Sequence, residues 1–366
     1  MRFTIQRAAL LKPLQAVASV VERRQALPIL SNLLLVVTEN ELSVTATDLE
    51  VELVGKAQLV AAEPGRITVP ARKLLDICRA LPDGVDVTLS LDKDRVLLRA
   101  GRSRFTLTTL PADDFPNVEE IKGGMRFSLP QNALKGLIAK THFAMAVADV
   151  RYFLIGLLLE VESGWLRTCA TDGHRLAMAE LETEVNPPKP TQVIVPRKGV
   201  TELLRLLQDS AALVHVVLGS NHMQVVLPEA VFTSKLIDGR FPDYRRVIPQ
   251  SIDKIATADR EEFHQALLRA AIISNEKFRG IRVHVTENKI QVLAANPEQE
   301  EAEEELSAEY LGAPIEIGFN VGYLLDALAV IESKQVTIGF INADSSALLQ
   351  GVGSEHCRYV VMPMRL

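Results

Sequence analysis

A chain of 366 residues, 48% of them apolar, is long enough for two or three domains with ordinary buried cores. Its formal charge of -6 advertises neither a nucleic acid nor an anionic membrane across the whole surface. Cys78, Cys169 and Cys357 lie far apart, with no CxxC and no metal-ligand spacing, which reads as inert thiols in a reducing cytosol and predicts neither a bound metal nor a cofactor.

From the N-terminus, MRFTIQRAALLKPLQAVASVV reads as a strand and then an amphipathic helix over 7–20, because Arg7 and Lys12 interrupt any signal-peptide core. Segments such as ELSVTATDLEVEL and VDVTLSLDKDRVLLRA alternate with the two-residue period of half-buried strands. Between them ITVPARKLLDICRALP predicts a helix over 71–81. The same order then returns. FTIQRAALLKPL (3–14) matches FSLPQNALKGLI (127–138), and TATDLEVEL (45–53) matches the stretch around Asp172. ITVPARKLLDICRALP (67–82) matches VIVPRKGVTELLRLL (193–207), and FTLTTLPADDFPN (105–117) matches FTSKLIDGRFPD (232–243). Four correspondences in one order, offset by 124 to 127 positions, mark an internal duplication. A fainter third copy places Ala295–Asn296 under Thr171–Asp172, with helices over 260–273 and 321–333. Turns at Pro116, Gly123–Gly124 and Pro249 put the boundaries at 1–122, 123–252 and 253–366. Each copy is a strand, a helix, several strands, a helix and more strands: an α+β domain of antiparallel sheet carrying two helices. The longest apolar run, FLIGLLL at 153–159, is too short to span a bilayer, so a soluble cytoplasmic protein with no membrane attachment is expected.

Charge is unevenly placed. Helices 7–20, 71–81, 131–142 and 197–208 each carry two more basic than acidic residues, whereas 260–273 is neutral and 321–333 acidic. Four equivalent helices of one sign in an acidic chain point to a surface that meets a polyanion. Without a base-reading motif, such contacts touch phosphates and read no sequence. The pair Asp172 and His174 in CATDGHRLAM raises an acid–base reading. It is weakened because the first copy keeps Asp48 but has Leu49–Glu50 in place of Gly173–His174, and no nucleophile, phosphate loop or HExxH stands nearby. No catalytic residue is assigned.

ATDGHRLA, VPRKG, DGRFPDYRRVIP, SNEKFRG, ANPEQEEAEE and the terminal VVMPMRL together resemble the bacterial replicative sliding clamp family, the β subunits of DNA polymerase III, over the whole chain. The resemblance implies three copies of a clamp-type α+β domain, two chains joined head to tail, and a ring with sheets outside and helices lining a hole around duplex DNA. It implies a non-catalytic processivity factor that binds double-stranded DNA without sequence preference. It also implies homodimerisation, and short-peptide partners on the polymerase III catalytic subunit, the clamp loader, other polymerases and repair factors. A clamp-like paralogue devoted to repair or resistance is the alternative. Carried onto this chain, the DNA-contacting residues are Arg24, Arg72, Arg151, Tyr152 and Phe153, joined by Arg197, Lys198 and Arg205 from the basic helix. Two departures weaken polar contact there: Phe153 lacks a tyrosine hydroxyl, and Ala148 stands where an amide side chain is expected. The partner-peptide pocket corresponds to Leu154, Thr171, Gly173, His174, Arg175, Leu176, Pro242, Arg246, Val247, Ser346, Val360, Val361, Met362, Pro363, Met364 and Arg365. The dimer seam corresponds to Lys73, Phe105 and Leu107 facing Ile272, Ile273 and Phe278, with Glu298, Glu300, Glu301, Glu303 and Glu304 as the acidic counterpart to Lys73.

Overall fold

The structure, a computed structural model, describes residues 1–21, 27–116, 121 and 123–365. The first repeat runs β1 (Arg2–Gln6), α1 (Arg7–Val17), β2 (Asn32–Val37), β3 (Glu41–Thr47), β4 (Val51–Gln58), β5 (Ala62–Glu63), β6 (Gly65–Pro70), α2 (Ala71–Ala80), β7 (Asp86–Asp92), β8 (Arg95–Ala100) and β9 (Ser103–Thr108). The second runs β10 (Met125–Pro130), α3 (Gln131–Ala139), β11 (Gly156–Glu162), β12 (Trp165–Thr171), β13 (Arg175–Glu182), β14 (Thr191–Pro196), α4 (Arg197–Leu206), β15 (Leu213–Leu218), β16 (His222–Val226) and β17 (Ala230–Lys235). The third runs β18 (Lys254–Asp259), α5 (Arg260–Ile273), β19 (Gly280–Thr286), β20 (Lys289–Ala295), β21 (Glu301–Glu309), β22 (Ile315–Asn320), α6 (Val321–Val330), β23 (Gln335–Phe340), β24 (Ala347–Gly351) and β25 (Cys357–Val361). Each of the six helices begins at its expected residue, and most stop slightly short. After α3, Thr141 turns its hydroxyl back onto the Leu137 carbonyl (2.9 Å), which satisfies an orphan acceptor and closes the helix.

Local chemistry explains the elements. On α2, Ala71, Leu74, Leu75 and Cys78 fall on one buried stripe, the spacing of an amphipathic helix. The α5 N-terminus is capped by the Asp259 side chain, which accepts from the Glu262 amide, and two acids occupy its first turn. Asn320 caps α6 by accepting from Gly322. On α1, Leu10, Leu14 and Val17 are fully buried, each stabilising the fold by roughly 1.5–3 kcal/mol. The helix packs on β4 where Gly55 has no side chain; a Cβ there would stand 2.8 Å from Cβ of Pro13.

Two compact units form. One comprises Met1–Lys135 with Lys198–Leu236, the other Gly136–Arg197 with Ile237–Leu366. The second repeat is thus shared between them, because its sheets continue into its neighbours. In the first unit a five-stranded sheet (β5-β1-β7-β8-β9) accompanies an eight-stranded one (β10-β15-β16-β17-β4-β3-β2-β6). In the second a single twelve-stranded sheet runs β14-β11-β12-β13-β25-β24-β23-β18-β21-β20-β19-β22. Two joints between repeats are therefore made of antiparallel strand pairs. β17 lies on β4 with Phe232 opposite Leu53, and β25 lies on β13 with Tyr359 opposite Ala177. β9, the counterpart of β17 and β25 in the first repeat, ends its sheet with one edge unpaired among the described residues. β21, the counterpart of β4 and β13, pairs along its length with β20 but meets β18 only at Ala308 and Glu309.

Candidate functional site

Asp172 builds a turn. Its Oδ1 accepts from the backbone amides of His174 (2.9 Å) and Arg175 (3.0 Å), its Oδ2 from the Arg175 guanidinium (3.2 Å). The Thr171 hydroxyl donates to the Arg175 carbonyl (2.6 Å) and accepts from the Gly173 amide, and Gly173 takes φ 90°. The first repeat builds the same turn: Asp48 Oδ1 accepts from Glu50 and Val51, Thr47 closes on the Val51 carbonyl, and Leu49 takes φ 77°. Asn296 accepts from the Glu300 amide in the third. The Asp172–His174 pair is thus an Asx-type turn feeding a seam strand, and the His174 ring stacks on Tyr323 instead of meeting Asp172 (centroids 6.5 Å apart).

What distinguishes the second copy is what surrounds Arg175. Its guanidinium bonds Asp172, Asp326 and the Phe143 carbonyl (2.8 Å), and lies over the Tyr323 ring at 4.6 Å and the Phe143 ring at 5.3 Å. The His174 carbonyl accepts from the Met362 amide (2.9 Å), and β13 pairs β25 with Arg175 opposite Val361 and Leu176 opposite Val360. Turn 171–176 and tail 360–362 are therefore one surface. Beneath them Leu176 and Val360 join a buried apolar cluster with Leu158, Cys169, Met178, Ile194, Phe241, Tyr244, Ile248 and Leu348, on which Phe153, Ile237 and Ile252 pack. Burial pushes the Cys169 thiol well up and keeps it inert. Arg246 stands exposed on the short 3-10 turn Tyr244–Arg246 that Tyr244 roots in this cluster, Pro242 and Val247 are exposed on either side of it, and Met362 is exposed beyond β25. Leu154 and Val361 are buried; Ser346, Pro363 and Met364 are half-buried, Arg365 is exposed, and Met364 donates to the Gly318 carbonyl (2.8 Å). The structure thus gathers most of the expected pocket on one face. Sequence reasoning missed Tyr323, Asp326 and Phe143 around Arg175, and Phe241, Tyr244 and Ile248 below, although the last three sit inside the quoted DGRFPDYRRVIP.

The basic residues divide by what already holds them. Arg24 lies outside the described residues. Arg7 caps the end of α2, donating to the carbonyls of Cys78 (2.8 Å) and Arg79 (2.9 Å) and pairing with Asp83. Lys198 pairs with buried Asp48, Arg197 donates to the Met145 carbonyl (2.9 Å), and Arg205 bonds Glu202, Ser19 and the Ala16 carbonyl. Part of the charge surplus on the helices therefore serves internal joints. Lys12 and Lys135 sit in exposed or half-exposed pairs with Glu229 and Asp209, which are worth roughly 0–1 kcal/mol. On α2, Arg72, Lys73 and Arg79 are exposed and make no side-chain hydrogen bond or ion pair with any described residue. Arg151 is clamped by Asp149, whose carboxyl is lowered to about 2 by the guanidinium hydrogen bonds. Tyr152 is exposed, edge-on to Phe153 (5.9 Å), and Phe153 packs on the apolar cluster.

At the expected dimer seam, Ile272 and Phe278 are largely exposed, Ile273 and Phe105 are half-buried, and Leu107 is buried within its own sheet. Glu298, Glu300, Glu301 and Glu303 are exposed, Glu300 bonding Asn296 and Glu303 bonding Gln291. Glu304 is engaged bidentately by Arg269 (2.8 and 2.6 Å), which lowers its carboxyl pKa. Among the described residues no cluster of His, Cys, Asp and Glu suits a metal ion, and no helix is long and apolar enough to cross a membrane.

Three family models match in succession: DNA polymerase III beta subunit, N-terminal domain, over 1–119; its central domain over 128–243; and its C-terminal domain over 245–365. The chain is 56% identical to the beta sliding clamp of Pseudomonas putida KT2440, covering 100% of both. It is similar to the crystal structure of the DNA polymerase III subunit beta from Pseudomonas aeruginosa, with TM-score 0.98, 56% identity and full coverage of both chains. It is also similar to a Pseudomonas aeruginosa sliding clamp bound to griselimycin, at TM-score 0.97, 56% identity and full coverage of both.

Proposed function

This chain belongs to the DNA polymerase III beta subunit family and is a DNA sliding clamp of three clamp-type α+β domains, and from that premise we propose how its residues do the work. Full-length relatives named as beta sliding clamps favour this reading over a specialised repair or resistance paralogue. The domains divide at 1–122, 123–252 and 253–366. A ring forms when β9 of one chain adds to β21 of a second, and the same pairing repeats on the other side. The observation that carries this is the repeat itself: two joints are closed within the chain by β17 on β4 and β25 on β13, while among the described residues the equivalent β9 has an unpaired edge and the equivalent β21 meets β18 only at Ala308 and Glu309. Superposing the repeats puts Phe105 opposite Ala302 of the partner subunit. Phe105 and Ile272 supply apolar contact, and Lys73 meets the acidic run from Glu298 to Glu304.

Inside the ring, Arg72 and Arg79, with Lys12 and Lys135, touch phosphates weakly enough to slide. Arg24, Arg151, Tyr152 and Phe153 contact the duplex as it passes, and Arg197, Lys198 and Arg205 chiefly set the helix positions from which others reach it. Confinement holds the duplex, and a tethered polymerase gains effective concentration at its template. The chain performs no chemistry of its own; polymerase and loader carry it. It works in the cytoplasm. The face formed by turn 171–176, residues 242–247 and tail 360–365 takes short apolar peptide segments from polymerase III, the loader and repair factors, with Met362 and Met364 adapting to each. We take griselimycin, bound by a Pseudomonas aeruginosa clamp, as a ligand of this face.

The deciding experiment is retention on DNA. The protein loaded on nicked circles stays, and leaves quickly once the circle is linearised; equal retention on both forms would rule out encirclement. Solution mass should correspond to two chains.

A further inference from the structure

Below the exposed 242–247 turn lies a carboxylate that no sliding or tethering step uses. Glu160, at the middle of β11, is 1% exposed. Burying a carboxylate is costly unless polar partners surround it, and here four groups converge on it from three different elements. The Tyr244 hydroxyl donates at 2.7 Å, the Arg245 guanidinium at 2.9 Å and the Gln192 amide on β14 at 2.5 Å, while Arg167 on β12 pairs at 3.6 Å. Arg167 is fixed in turn by Glu162 (2.5 Å) and Glu180 (2.8 Å) and lies over the Trp165 ring, and Arg245 reaches Glu162 as well (3.1 Å). Burial and the Glu160 carboxylate both push the Tyr244 hydroxyl upward in pKa, so it stays a neutral donor. Two of these four partners, Tyr244 and Arg245, are consecutive residues of the 3-10 turn Tyr244–Arg246, and Pro242, Asp243, Arg245, Arg246 and Val247 are exposed in and around it. Tyr244 also packs in the same apolar cluster as Leu176 and Val360, the floor of that face.

We infer that Glu160 is a positioning residue for peptide capture: it pins the 242–247 turn to the sheet, so that the apolar wall is already in place when a partner segment arrives. This rests on the reading of that face as the partner pocket. The chemistry fits a pin better than general stability. A buried apolar side chain at 160 would pack the sheet without charge, whereas a carboxylate with converging donors fixes one orientation of the turn. A wall fixed beforehand lowers the ordering cost of binding and should act mainly on how slowly the ligand leaves.

The test uses the full-length dimer and griselimycin as probe, with association and dissociation rates measured at a sensor surface. Tyr244→Phe removes only the hydroxyl that reaches Glu160, and Glu160→Gln keeps the shape and one acceptor oxygen but loses the charge. Both should weaken griselimycin about 3- to 30-fold, mostly through faster dissociation, with the protein still fully folded at the assay temperature and with dimer mass and retention on circular DNA unchanged. Glu160→Ala should bind weaker still, and its partial rescue by Gln marks the acceptor as the active feature. If Glu160→Ala does not fold, the two conservative variants decide alone. Val247→Asp tests the underlying pocket: wild-type binding by that variant would sink the pocket reading itself. Loss of binding in Val247→Asp with wild-type binding in both Tyr244→Phe and Glu160→Gln would overturn the positioning role and leave the pocket standing. Weaker binding only where the variant is partly unfolded at the assay temperature, or has lost dimer mass, would also overturn it.

Discussion

The joints closed within the chain and the joint left open are built from equivalent strands, yet their side chains differ in fate. Phe232 on β17 is 0% exposed and Tyr359 on β25 is 1% exposed, each covered by the strand it faces. Phe105, their counterpart on β9, stays half-buried, and Ile272 on α5 is 79% exposed. The same design is thus a core in two places and an unfinished interface in the third. Arg205 shows it again. It crosses to the Ala16 carbonyl and Ser19 at the end of α1, whereas Arg79, at the matching place on α2, has no side-chain partner among the described residues.

Substitutions at matching positions should separate the two kinds of joint. Phe232→Ala, inside a closed joint, should cost about 3–5 kcal/mol of stability, seen as a clear fall in unfolding temperature whether or not the protein is dimeric. Phe105→Ala with Ile272→Ala should leave the protomer's unfolding nearly unchanged but weaken dimerisation by about 2 kcal/mol or more, read as an over 30-fold rise in the dissociation constant by sedimentation. If the single and the double variant behaved alike, the open joint would be no joint. Arg205→Ala should destabilise by about 1–2 kcal/mol, while Arg79→Ala should leave chemical unfolding unchanged and alter only dimer or DNA measurements. Asp48→Ala and Asp172→Ala, each removing a turn that feeds a closed joint, should each cost about 1 kcal/mol, with the second alone also disturbing griselimycin binding. The smallest effect concerns pH. Asp149 titrates at about 2 when folded against an ordinary 3.8, so its clamp on Arg151 is complete above the unfolded value and lost only as pH falls through the folded one. Resonances of the 149–151 loop should therefore hold still from neutral pH to about 4 and move only towards pH 2.

Periodicity made the six helices, the threefold order and the turns at Asp48 and Asp172 legible in the sequence, since each depends on neighbours within a few residues. The family motifs pointed to most of the residues that the fold gathers around turn 171–176. What stayed hidden was pairing at long range. Nothing near Lys198 announces that buried Asp48 will claim it, and nothing near Arg7 announces the end of α2, so a count of charges read as one uniform basic surface what the fold splits between joints and solvent. Glu160 escaped notice for the same reason. It sits in an apolar run, and its four donors come from residues 167, 192, 244 and 245. Tyr323 and Asp326 were visible only as part of a helical pattern, and no spacing rule ties them to Arg175.

The unlike character of the two open strands has a consequence for direction. β21 presents Glu301, Glu303 and Glu305 outward, while β9 carries Arg104 and no acid. Two β21 edges brought together would repel, so identical edges avoid each other and only the unlike pair meets. Used twice, that contact leaves a single two-fold axis, running through the opening. A clamp assembled in this manner has a front and a back.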